Sequence, residues 1–345
     1  MTEGPPRPSS VWAEPGAELV APGVYRIPLP LPTPDLKAVN VYAILDDDGI
    51  VLIDSGWAGP AGEQALKAGL REIGHDPGDI SSIVVTHAHP DHYTQSVVLR
   101  RAHGPTVLLG RGERPSVDAA VHDRHSRPPQ EATLRAHGAA DLATAWAAQV
   151  IAFEAADATE WELPDVWLDD RAELRLAGRA VQVRETPGHT RGHIVLRDPA
   201  AGLLFAGDHV LPHITPSIGY ERRPEPAPLR SYFASLHLVR DLPDLRLLPA
   251  HGPVAASVHT RIDELLAHHD RRLADVVTEV RAGAVTAFAV AARLPWTRRR
   301  TRLEDLEVAH QTLAVLEIAA HLDVLVETGT LVTAEVDGVH RYALS

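Results

Sequence analysis

Residues Thr86-His87-Ala88-His89-Pro90-Asp91-His92 follow directly on the apolar run 83–85. They read His-x-His-x-Asp-His at the end of a short buried strand. Four imidazole or carboxylate side chains within six residues constrain this chain more than any other feature in it. A strand end followed by a loop can turn side chains two positions apart to one side. His87 and His89 can then share one cation, while Asp91 and His92, further round the loop, face a second. Imidazole with carboxylate suits zinc, iron or manganese. Such a site needs ligands from elsewhere in the chain, and three more apolar runs end in turns that offer one each. Run 181–184 leads to Thr186-Pro187-Gly188-His189-Thr190, where Pro-Gly sets a tight turn. Run 203–205 leads to Ala206-Gly207-Asp208, and run 245–248 to Pro249-Ala250-His251-Gly252.

Composition removes several competing chemistries. The chain has no cysteine, which excludes disulfides, thiolate nucleophiles and Cys-held clusters. Lys and Arg number 33 against 46 Asp and Glu, a formal charge of −13 that argues against a general nucleic-acid surface. The 20 histidines matter only where they converge. No run approaches the ~18 apolar residues of a membrane span. Residues 1–16 hold four prolines and no apolar signal-peptide core, which favours the cytoplasm.

A length of 345 residues fits one large domain and a smaller one. Residues 1–17, rich in Pro and Ser, predict a disordered tail. From 18 to 255 short apolar runs alternate with helical stretches, beginning with a hairpin, 41–45 and 50–53, and a helix over 62–73. Residues 112–160 break that alternation. They carry His122, His125 and His137 and then an Ala-rich helix, and they predict an inserted helical segment or lid. Beyond 256, Ile262, Leu265, Leu266, His269, Leu273, Val276, Val277 and Val280 recur at helical spacing. Helices over 287–293 and about 303–327 and a hairpin on Asp337-Gly338 complete a winged-helix-like domain over 256–345.

Together the His-x-His-x-Asp-His, Thr-Pro-Gly-His-Thr, Phe-Ala-Gly-Asp and Ala-His-Gly segments resemble the metallo-β-lactamase fold hydrolases over residues 18–255. The resemblance implies an α/β fold, a four-layer αββα sandwich with a dinuclear metal site at one edge of its two sheets. It implies that His87, His89 and His189 hold the first metal, that Asp91, His92 and His251 hold the second, and that Asp208 bridges them. Asp54 matches a family position near the site. The cofactors expected are two divalent ions, zinc by default, with iron or manganese fitting the same ligands. Two such ions lower the pKa of a shared water toward ~7, so that hydroxide can attack a carbonyl while one ion polarises its oxygen.

The segments 186–193 and 204–208 look most like the glyoxalase II side of the superfamily, which implies thioester or ester hydrolysis of a small acyl substrate. The C-terminal region resembles the winged-helix-like extension of the β-lactamase-like protein 2 group, which raises RNA cleavage as an alternative and a homodimer as an assembly. Lactone hydrolysis and iron-dependent sulfur oxygenation are further alternatives; Leu211, where lactonases carry tyrosine, weighs against the first. Asp91 can shuttle a proton, and His209 and His213, on the loop after Asp208, are candidates to assist as oxyanion donor or leaving-group acid. His193 is expected to support the loop of His189, and Tyr93 to pack as core. The run Arg298-Arg299-Arg300 with Arg302 reads as a solvated helix start, and His268-His269 as one exposed and one buried residue.

Overall fold

Seven strands follow one another in sequence order across the first sheet. They are β1 (Glu18–Ala21), β2 (Val24–Pro30), β3 (Ala38–Asp46), β4 (Gly49–Ile53), β5 (Ile80–Val85), β6 (Thr106–Gly110) and β7 (Val166–Leu168). The pairs from β1 to β4 are antiparallel, and those from β4 to β7 are parallel. The computed structural model describes residues 10–32, 36–47, 49–123, 126–156, 160–176, 178–297 and 299–345. His125 and Arg298 lie outside the described residues, as does the tail over 1–9. The tail expected over 1–17 is anchored from residue 10 onward. Ser10–Ala13 form a 3-10 turn, Arg26 donates to the Trp12 carbonyl at 2.6 Å, and the Ala17 N–H donates to Glu72 at 2.8 Å.

The second sheet holds β8 (Glu173–Leu176), β9 (Arg179–Glu185), β10 (Ile194–Asp198), β11 (Leu203–Gly207) and β12 (Arg246–Pro249), in the order β12-β11-β10-β9-β8. The period of two along each strand divides the core. Tyr42, Ile44, Val51 and Ile53 turn inward to meet Val183, Ile194, Leu196 and Phe205 of the second sheet. Their neighbours Val41, Ala43, Ile50 and Leu52 turn outward to α1 (Pro60–Glu72) and α2 (Pro90–His103). Buried on both faces, β3 and β4 read as continuous apolar runs. The outer face of the second sheet is covered by α6 (Pro228–Arg240) and the start of α7 (Val258–Arg281). The layers therefore run helix, sheet, sheet, helix.

A fourth core has no counterpart in the sheets. It joins α4 (Pro129–Ala136) and α5 (Ala140–Ala156) to α7, α8 (Ala287–Arg293), α9 (Val308–Glu327) and the hairpin β13 (Leu331–Val336) and β14 (Val339–Leu344). Leu134, Leu142 and Trp146 of the inserted segment pack in one cluster with Val276, Val290, Ile318 and Tyr342. α4 and α5 of the insertion and the C-terminal region thus form one helical cap, while α3 (Arg114–His122) buries Val117 in the core of the first sheet and its helices. By length and composition α9 could cross a membrane, but its Val315, Ile318 and Leu322 are buried in this cap. Arg299 and Arg300 lie in a turn between α8 and α9, Arg302 pairs with Glu304 at 2.6 Å, and α9 itself starts only at Val308.

Candidate metal centre

The side chains of the cluster come from strand ends and from the first turn of α2. β4 stops at Ile53, and Asp54 takes a left-handed conformation, φ 62°, rare for a residue with a side chain. That turn aims its carboxylate at the end of β5. There Oδ1 accepts the Thr86 N–H at 2.8 Å and Oδ2 accepts His92 Nδ1–H at 2.9 Å. Pro90 occupies the first turn of α2, where its fixed φ is already helical and it needs no N–H. Asp91 and His92 therefore sit on a helix rather than on the loop that the spacing suggested.

The ring nitrogens converge. His189 Nε2 lies 3.2 Å from His87 Nε2 and 3.1 Å from His89 Nδ1. His251 Nε2 lies 3.3 Å from Asp91 Oδ2, and His92 Nε2 lies 3.6 Å from it. Asp208 faces both groups, with Oδ2 3.5 Å from His189 and Oδ1 3.4 Å from His251 and 3.6 Å from His92. His87, His89 and His189 form one group able to hold a metal ion; Asp91, His92 and His251 form another, and His87, His92 and Asp208 link them.

The opposite nitrogen of every ring is already engaged. His89 Nε2–H donates to the Tyr220 carbonyl at 2.7 Å, His189 Nδ1–H to Ser217 at 2.6 Å and His251 Nδ1–H to Ala38 at 2.8 Å. Thr86 Oγ1 gives its proton to Asp54 and stands 3.1 Å from His87 Nδ1, from which it can accept. These partners hold the opposite nitrogens and aim the converging ones at a common space, as metal-binding histidines require. His92 Nε2, His251 Nε2 and Asp208 Oδ1 are buried with no hydrogen-bond partner, and such orphaned atoms are costly unless something binds them. Burial holds His87 and His189 well below the usual imidazole range, the latter at about 3, so both are neutral. At His92 burial pulls the same way, but Asp54, Asp91 and Asp208 overcome it and raise the pKa to about 10. That corner of the cluster attracts positive charge.

Two candidates do not join the cluster. Asp208 faces it, and the next residue, His209, is fully buried with its ring 5.4 Å from that of Tyr232 on α6. His213 is exposed and lines a separate cleft with Trp12, Arg26 and Pro253. His193 supports Asp208 as well as the His189 loop: its Nε2 accepts the Asp208 N–H at 3.1 Å, and its carbonyl accepts the Thr186 N–H at 2.7 Å. Tyr93 packs in the core, stacked on Trp161 at 5.4 Å. His269 is buried 3.1 Å from His321, and His268 is half-buried.

Sequence reasoning missed three supports. Asn40 donates to the Pro249 and Gly252 carbonyls at 2.9 and 2.8 Å and holds the turn of His251. An amide inside the apolar run Val39-Asn40-Val41 was the available signal. Glu113 is fully buried and accepts from the Thr190 hydroxyl; burial raises it to about 7 against that bond and the amides of Gly192 and Ala88. Glu221 accepts from Ser116 Oγ at 2.6 Å and from the Arg191 N–H at 2.7 Å, and burial, then Glu113, raises it to about 8. Nothing in the spacing marked either glutamate.

A cavity of about 440 Å³ opens over the cluster, with His89 and Asp91 in its wall. The rest of the wall comes largely from the insertion, with Trp146, Val150 and Phe153 on α5, and from Ala309 on α9.

The family model for the metallo-beta-lactamase superfamily matches residues 34–251. A probable metallo-hydrolase of Bacillus subtilis is 26% identical over 87% of this chain and 91% of its own length. A beta-lactamase-like protein 2 homolog of Caenorhabditis elegans is 29% identical, but the match spans 43% of this chain and only 49% of that protein. A hydroxyacylglutathione hydrolase of Aeromonas hydrophila is 26% identical over 60% of this chain and 58% of its own. Among solved structures, a metallo-beta-lactamase family protein of Thermus thermophilus superposes with a TM-score of 0.78 at 27% identity, covering 94% of this chain and 99% of that one. A beta-lactamase domain protein of Burkholderia ambifaria gives 0.76 at 27% identity, over 95% and 93%. Both likenesses therefore run through the helical cap as well as the sheets. The chain belongs to the metallo-beta-lactamase superfamily.

Proposed function

We propose that this protein hydrolyses a thioester or carboxylic ester with two divalent cations, zinc by default, held by the converging side chains. His87, His89 and His189 would hold one, Asp91, His92 and His251 the other, and Asp208 would bridge them. The observation that carries the reading is the set of buried atoms with no partner, His92 Nε2, His251 Nε2 and Asp208 Oδ1, all turned to one space. Replacing a water of hydration by three imidazoles and a carboxylate suits borderline cations. Bound there, such cations would activate a water near neutral pH and polarise a carbonyl oxygen.

The chain's own residues do the rest. Asp54, Thr86, Ser217, Ala38 and Tyr220 orient the rings before any ligand arrives, so no reorganisation is needed at the site. Asp91 is the carboxylate of the cluster that also lines the cavity, so its oxygen can take a proton and return it to the departing thiol or alcohol. The cavity walls shield that exchange from bulk water. The hydroxyacylglutathione hydrolase among the relatives supports a thioester, and the matched family supports hydrolysis.

The test is elemental analysis of the purified protein beside an Asp208→Ala variant, with hydrolysis of a p-nitrophenyl ester measured on both. About two equivalents of zinc, reduced in the variant together with turnover, are expected. One equivalent of iron with no ester turnover would overturn the reading and favour oxygen-dependent sulfur chemistry.

A further inference from the structure

The cavity wall has an apolar part and an acidic part. Trp57, Trp146, Phe153 and Trp161 line it with rings. Two of these contacts are edge-on, Trp57 with Phe153 at 6.2 Å and Trp146 with Tyr220 at 5.9 Å. Rings so arranged present faces and edges to a flat or branched apolar group. The acidic part is Glu113 and Glu221. Their hydrogen-bond partners are hydroxyl and amide donors from Thr190, Ser116 and Arg191; the Arg191 guanidinium, which donates to the Arg223 carbonyl, favours their charged forms through its charge, against the larger effect of burial. Among the described residues of the wall, Arg222 is the one arginine or lysine, and its guanidinium is held by Glu154. An anion entering this cavity meets two carboxyl groups and no uncommitted side-chain cation away from the metal ligands. Burying a charge without a partner is strongly unfavourable.

Building on the hydrolase reading, we propose that the cavity selects an acyl substrate whose bulk is an uncharged or cationic aromatic or branched apolar group, and that it discriminates against anionic carriers such as glutathione. The carrier chemistry of this site then differs from that named for the hydroxyacylglutathione hydrolase relative. Specificity of this sort is a difference between two affinities and needs a repulsive element as well as an attractive one. The repulsive element is the cost of burying an anion where no free side-chain cation meets it and where Glu113 and Glu221 cannot pair with it; the rings supply the attraction.

The experiment compares two thioesters with the same acyl group on the metal-loaded full chain, S-benzyl thiobutanoate and S-butanoylglutathione. The expected kcat/KM is at least about tenfold higher for the benzyl thioester. Phe153→Ala, at a half-exposed position, should raise KM for the benzyl thioester with kcat retained. Equal or faster turnover of the glutathione thioester overturns the proposal. If neither compound turns over, the hydrolase reading fails, and binding decides this inference separately. Tryptophan fluorescence is then titrated with 4-phenylbutan-2-one and with S-butylglutathione, neither of which can be hydrolysed. Saturable quenching by the ketone, at least about tenfold tighter than by the thioether, upholds it. Equal or tighter binding of the thioether overturns it.

Discussion

The metal centre and the cavity above it touch at His89 and Asp91 but are built on opposite principles. The centre is a polar knot held by two sheets. Its side chains leave the ends of β5, β9, β11 and β12, and each ring has its second nitrogen tied to a carbonyl, hydroxyl or carboxylate. The cavity is an apolar recess walled by an insertion between β6 and β7 and by the first turn of α9. Strand ends inside a sheet are fixed by hydrogen-bonded neighbours, and β12, at the edge, is held by β11 and by Asn40 at the turn that follows it, so they can hold atoms to the tolerance that coordination demands. Inserted helices are free to vary in ring size and angle. The difference teaches where to look for each property: reaction class at the strand ends, substrate choice in the cap.

The sharpest way to break this division is to remove a ligand. His189→Ala should lower kcat/KM on the order of ten-thousandfold, about 5 kcal/mol of barrier, while the circular dichroism of the sheets persists. A tenfold loss would mean that the converging atoms are structural. Trp146→Ala probes the other side. Trp146 is 6% exposed in the core shared by α5, α7, α8 and α9, and its truncation should cost ~3–5 kcal/mol in chemical denaturation. Its bound metal, per folded molecule, should not change. If metal content falls with it, cap and centre are one unit and the comparison fails. Asp54→Asn is milder. It keeps the shape but removes the charge facing His92 and should weaken metal affinity about 10–100-fold in a chelator competition.

How much of this was visible in the sequence follows the same line. The seven converging side chains could be named because each lies close to the end of an apolar run, so local spacing carried the geometry. Local spacing also marked its own limit at His209. Asp208 and His209 lie in a turn after β11, where the His209 N–H donates to the Ala206 carbonyl, and spacing alone does not say which of the two side chains faces the centre. The sequence divided the helical insertion from the C-terminal domain, whereas Leu134, Leu142 and Trp146 share a core with Val276, Ile318 and Tyr342. No period within either segment reports a contact between them. Glu113 and Glu221 were silent for the same reason: a buried carboxylate becomes informative only when its neighbours are known.

Acid separates the two regions at the smallest expected effect. Where α7 meets α9, His269 and His321 are both buried, with Nδ1 of the first 3.1 Å from Nε2 of the second. Burial lowers them to about 2 and about 4. A histidine whose folded pKa lies below its unfolded value contributes stability that is complete above the unfolded pKa, ~6.5. That contribution is lost as pH falls toward the folded pKa, because the unfolded chain binds the proton first. Between pH 7.5 and 5.5 each such group should therefore remove about 1.4 kcal/mol. His321→Asn should flatten the dependence of chemical denaturation on pH by about that amount, whatever it does to stability at pH 7.5. Excess zinc should not restore what acid removes from this pair, because mass action by a bound metal acts at the centre and leaves the protonation of the seam unchanged. A variant as acid-sensitive as the parent would rule out this pair as a source of the acid response.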